Sequence, residues 1–95
     1  MKFSEFIEEL GSDQTRRGYI AAMVGLMNSI YGRENKKYIG EIERELYLEW
    51  IEQYLKTEGR NYLADLTKYK EWVEGRMAPR TIRSYLYNCK TVLEL

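Results

Sequence analysis

The sequence predicts an all-α domain, a compact bundle of four to five helices, on three observations. Apolar residues recur every three to four positions along five segments, no stretch alternates apolar and polar residues as a strand would, and Gly11, Gly32, Gly59, Gly75 and the only proline fall between those segments. Ninety-five residues close around one hydrophobic core, so a single domain spanning 1–95 is expected.

Phe3, Phe6, Ile7 and Leu10 follow the i, i+3, i+4, i+7 spacing of a short first helix, and Gly11 is suited to end it in a left-handed cap. Ser12 or Asp13 can then accept from the free N–H groups of a second helix, whose apolar positions Tyr19, Ile20, Met23, Leu26, Met27 and Ile30 keep the 3.6-residue period until Gly32. The polar stretch Gly32–Tyr38 reads as a loop. A third helix from about Glu41 turns Ile42, Leu46, Trp50, Ile51, Tyr54 and Leu55 inward and stops near Gly59. Tyr62, Leu63, Leu66, Tyr69, Trp72 and Val73 mark a fourth amphipathic segment ending at Gly75, separated from the third by either a true break or a kink. Pro79 suits the first turn of a last helix, where its missing N–H is not needed, and Ile82, Tyr85, Leu86, Cys89, Val92 and Leu93 face the core.

Composition narrows the function classes. A hydrophobic fraction of 44% with 32% charged residues is that of a soluble globular protein. No apolar run approaches the ~20 residues of a membrane span, and the acidic, amphipathic start is unlike a signal peptide, so a cytoplasmic location without membrane contact is expected. One cysteine and no histidine leave neither an internal disulfide nor the usual zinc spacings, so no cofactor or metal is expected. Glu45, Glu49 and Glu52 share a helical face that reads as solvated acid, because no histidine or Asp/Asn loop accompanies them. Trp50, Trp72 and the tyrosines at core-facing positions are read as packing residues.

Net charge is zero, yet the charges are segregated. Residues 12–40 and 76–95 are each net +3, residues 1–11 net −2 and residues 41–75 net −4. Within the two basic stretches a pattern repeats: Thr15-Arg16-Arg17-Gly18-Tyr19-Ile20 and, sixty-six residues later, Thr81-Ile82-Arg83-Ser84-Tyr85-Leu86. Both read Thr-x-Arg-x-Tyr-aliphatic, and Met23, Leu26 and Met27 stand to the first threonine as Cys89, Val92 and Leu93 stand to the second. A single copy has a plain explanation, since threonine begins helices, tyrosine buries well and surface arginine solubilises. Two copies at two helix starts suggest an anion. Free N–H groups and the positive end of the helix dipole attract phosphate, and arginine placed there without an anion costs a few tenths of a kcal/mol. Arginine can also fork onto guanine in the major groove.

These residues resemble the N-terminal core-binding, or SAM-like, domain of tyrosine recombinases and phage integrases. That family opens with a short helix, continues with a Ser-x-x-Thr-x-x-x-Tyr helix start, and after an intervening helix repeats the signature. Phe3–Leu10 looks like the opening helix, Ser12-x-x-Thr15-x-x-x-Tyr19 like the first signature, Asp65-Leu66-x-x-Tyr69-x-x-Trp72-Val73 like the helix before the second, and Ala78-x-x-Thr81-x-x-x-Tyr85 like the second with alanine for serine. The segment from Tyr38 to Tyr62 is longer than the family's usual connection. The resemblance implies a SAM-like orthogonal bundle that holds double-stranded DNA on one face of a recombination site. Thr15, Arg16, Arg17, Arg80, Thr81, Arg83 and Ser84 inherit the DNA-facing role by position, with Lys36, Lys37 and Lys90 as outlying contacts. It also implies neighbouring recombinase protomers as partners of the first helix. The family's catalytic tyrosine, arginines, lysine and histidines belong to a separate domain that has no counterpart here, so a non-catalytic DNA-binding domain is expected. Two alternatives stay open: a helical protein–protein interaction module, which would expose an apolar patch and no basic face, and a stand-alone small DNA-binding regulator.

Overall fold

A computed structural model describes residues 2–31 and 41–94, the side chains of residues 41–43 excepted. Five helices follow one another: α1 (Phe3–Glu9), α2 (Asp13–Tyr31), α3 (Glu41–Lys56), α4 (Tyr62–Val73) and α5 (Pro79–Leu93). Among the described residues there is no strand, so the all-α expectation holds at the upper helix count.

The architecture is organised by α2. Its nineteen residues, about 28 Å at 1.5 Å per residue, nearly cross a molecule whose longest extent is 32 Å, and α1, α3, α4 and α5 all pack on it. Every position from Ala22 to Ser29 is consequently buried, polar Asn28 and Ser29 included. Both find partners: Asn28 Oδ1 accepts from the Tyr47 hydroxyl, and Ser29 Oγ donates to the Leu26 carbonyl at 2.8 Å. At Gly25 the α2 backbone meets α4 so closely that a Cβ would lie 2.6 Å from the Tyr69 hydroxyl oxygen. That hydroxyl is buried without a hydrogen-bond partner among the described residues.

The break between α3 and α4 is a true one. Gly59 adopts φ +78°, the Asn61 side chain accepts from the Ala64 N–H at the start of α4, and Asp65 Oδ2 ties the turn together. That single oxygen accepts from the Tyr54 hydroxyl at 2.7 Å and from Arg60 Nε and Nη2 at 3.2 and 3.0 Å, while the Arg60 guanidinium lies 4.9 Å from the Tyr54 ring centroid. Burial, reinforced by the neighbouring carboxylate, pushes the Tyr54 phenol up, so it remains a donor. Gly75, at φ +81°, makes the corresponding turn before α5, where the Arg76 and Met77 N–H groups both bond the Val73 carbonyl. Pro79 opens α5 as expected.

Three sequence expectations need correcting. Gly11 is not a left-handed cap: the chain leaves α1 through Leu10 in an extended conformation (φ −72°, ψ 134°). Leu46, read as inward, and Leu63, counted among the apolar positions that mark the fourth segment, are 41% and 76% exposed. The buried stripe of α3 runs through Tyr47, Ile51 and Tyr54, one position around the helix from Leu46, and that of α4 through Tyr69 and Val73 with Tyr62 and Leu66 half-buried beside them. Tyr47 is thus a core residue that the apolar spacing did not single out.

Candidate nucleic-acid interface

The repeated motif occupies environments in α2 and α5 that agree at some positions and differ at others, Thr15 being exposed and Thr81 half-buried, Met27 buried and Leu93 half-buried. Met23 and Leu26 are fully buried, as are their counterparts Cys89 and Val92, while Tyr19 and Tyr85 are both half-buried. At the same offset the motif arginines, Arg17 and Arg83, are both exposed. The two helices touch between about one and a half and three turns inside their starts. A Cβ at Gly18 would lie 3.6 Å from Asn88 Nδ2, and the Cys89 thiol donates to the Ala22 carbonyl at 3.4 Å. Burial pushes that thiol up to about 12, so it stays protonated. Arg17 precedes Ala22 by five residues and Arg83 precedes Cys89 by six. With about 1.5 Å of rise per residue and about 10 Å between packed axes, the two backbone positions lie within about 25 Å of each other.

The helix starts differ in how much of their polarity is already used. At α2, Asp13 stands in the first turn and pairs with Arg16 at 3.1 Å. Arg16 reaches further: its Nε donates to the Ile7 carbonyl at 3.1 Å and its Nη2 to the Glu8 carbonyl at 3.3 Å. A helix end leaves its last carbonyls partly negative; that of Ile7 already accepts from the Leu10 N–H at 3.2 Å, and the guanidinium adds a charged donor to it and to that of Glu8. Arg16 therefore closes α1, which leaves exposed Thr15 and Arg17 as the free polar groups of that motif. At α5 less is spent. Ala78 provides no side-chain cap, no acidic residue lies in the first turn, and Arg80, Arg83 and Ser84 are exposed beside half-buried Thr81. Pro79 has no N–H and that of Ile82 bonds the Ala78 carbonyl at 3.0 Å, which leaves the N–H groups of Arg80 and Thr81 without a partner within the helix.

Other expected residues fall elsewhere. Lys36 and Lys37 lie outside the described residues. Lys90 is exposed in the last turn of α5, away from the helix start. With Lys70 it flanks an open groove of about 280 Å³ between α4 and α5, lined also by Leu66, Thr67, Leu86 and Tyr87. Tyr87 is 69% exposed, and Leu63, one turn before Leu66 and Thr67 on α4, is 76% exposed. The sequence reading missed Lys70 and Tyr87. Their signal was only negative: Tyr87 falls outside the inward stripe of α5, and the pairing of α4 with α5 is not written in either segment. The basic helix starts and this apolar groove coexist, so the molecule carries both features that were expected to distinguish a DNA-binding domain from a protein-interaction module.

Of the acidic face on α3, Glu45 and Glu49 are exposed, and Glu52 accepts from the Ser4 N–H at 3.0 Å. No group of three or more His, Cys, Asp or Glu side chains suited to a metal ion occurs among the described residues. No described helix is long and apolar enough to cross a membrane. No protein-family model, no curated protein and no solved structure matches the chain.

Proposed function

We propose that the chain is a DNA-binding domain of the tyrosine-recombinase core-binding type, contacting duplex DNA through the starts of α5 and α2. The observation that carries this reading is the first turn of α5. Exposed Arg80, Arg83 and Ser84 surround unpaired N–H groups, with no acidic side chain to neutralise them. A helix start so composed favours a phosphate oxygen. Arg17 and Thr15 at α2 extend the surface, and a separation within about 25 Å fits inside one turn of B-form DNA, about 34 Å. Arg16 supports the interface from behind by holding α1 against α2.

An NMR titration of the isotopically labelled domain with a short duplex at low salt tests this. Shifts are expected at residues 12–19 and 79–86, fading at high salt and in the Arg17→Ala/Arg83→Ala variant. A folded spectrum in which those residues stay silent would defeat the reading.

A further inference from the structure

We propose that the groove between α4 and α5 receives the exposed face of α3 from a second copy of this chain, giving a head-to-tail self-association independent of DNA. Two surfaces of the same molecule are complementary in chemistry. The groove is lined by apolar Leu66, Leu86 and Tyr87 together with Thr67, Lys70 and Lys90, and exposed Leu63 lies one turn before Leu66 on α4. Neither lysine forms an ion pair among the described residues, and no acidic side chain lines the groove. An occupant of matching chemistry is a helix bearing one apolar anchor with carboxylates beside it. The chain presents such a helix. Leu46 on α3 is 41% exposed, with exposed Glu45 beside it and exposed Glu49 one turn on. Glu45 and Glu49 form no salt bridge among the described residues.

A single copy does not bring these surfaces together. α3 packs chiefly on α1 and α2, whereas the groove is built by α4 and α5 where they pack on each other and on α2. The contact therefore joins different patches of two molecules. Such a heterologous contact leaves one groove and one α3 face unsatisfied in every dimer, so association grows with concentration and does not stop at two. The area is that of one helix face, below the 1,200 Å² or so of standard specific interfaces, which makes the association weak and reversible.

Sedimentation analysis of the whole chain without DNA tests this with two variants at exposed positions, each checked for native helicity by circular dichroism. One is Lys70→Glu/Lys90→Glu, which spoils only the groove; the other is Leu46→Glu, which spoils only the α3 face. The wild-type chain is expected to show an average mass rising with concentration above 11.4 kDa, and each variant alone to stay at the monomer mass. An equimolar mixture restores one good groove and one good face, so it forms a 1:1 complex and grows no further. A monomeric wild-type chain overturns the proposal, even if an acidic peptide from another protein shifts the groove residues. Variants that associate like wild type, or a mixture that stays monomeric, overturn it as well.

Discussion

Two adjacent arginines divide the work at the start of α2. Arg16 is turned back onto the Ile7 and Glu8 carbonyls, whereas Arg17 is exposed. Arg16→Gln removes a charged donor from two terminal carbonyls and is expected to cost about 1 kcal/mol, and Arg17→Ala less than about 0.5 kcal/mol, in urea unfolding followed by circular dichroism. The motif spacing marked Arg17 and Arg83 correctly as an equivalent exposed pair. It did not separate Arg16 from them, because the carbonyls that engage Arg16 belong to a different helix. Cys89 supplies a second prediction at this scale. Burial raises its pKa from 9.0 to about 12, so between those values the unfolded chain releases a proton that the folded chain retains. The thiol's contribution to stability is complete below pH 9 and declines above it. A thiolate-specific alkylating reagent at pH 8 should leave Cys89 unmodified in the native protein and modify it promptly in urea, and fast modification under native conditions would contradict its burial.

Among the helices, the crossing of α2 and α4 at Gly25 is a close one. Gly25→Ala gains roughly 1 kcal/mol of helix propensity, but its methyl would sit 2.6 Å from the Tyr69 hydroxyl oxygen, and overpacking of this kind costs about 1–3 kcal/mol. Net destabilisation is expected. Tyr69→Phe removes a hydroxyl that is already unpaired, so alone it should be near neutral. Placed in the Gly25→Ala background it should recover part of the loss, which a double-mutant cycle by thermal unfolding measures directly. Nothing in the sequence announced this contact, since periodicity tells which side of a helix is apolar and not which side chain of another helix it meets. The same limit explains Leu46 and Leu63, apolar residues adjacent to a buried stripe and counted into it. The proline start of α5 and the glycine turns at Gly59 and Gly75 were legible because each is set by local backbone chemistry, whereas the choice between four and five helices was settled only by the turn at Gly59.

For the molecule as a whole, zero net charge conceals two basic helix starts and an acidic α3 face. On the proposed reading, overall electrostatic attraction to DNA would be weak, and binding would depend on the few cations at the contact. If Arg17 and Arg83 each contact one phosphate, the slope of log K against log salt should fall by about 1 for each arginine replaced with alanine, measured by fluorescence anisotropy on a labelled duplex. An unchanged slope would place the contact elsewhere. Charge segregation was visible in the sequence. The folding of residues 63–70 against residues 86–90, which creates the groove, was not, because it depends on the turn at Gly75 bringing two helices side by side.

The position of α2 also bears on how such a chain changes over generations. Eight successive positions, Ala22 to Ser29, are buried, so a substitution there that changes side-chain volume is accommodated best when a neighbour on another helix changes with it. Exposed positions on α3, α4 and α5 carry no such constraint. The centre of the molecule would keep a record of descent, while its contact surfaces are free to acquire new partners.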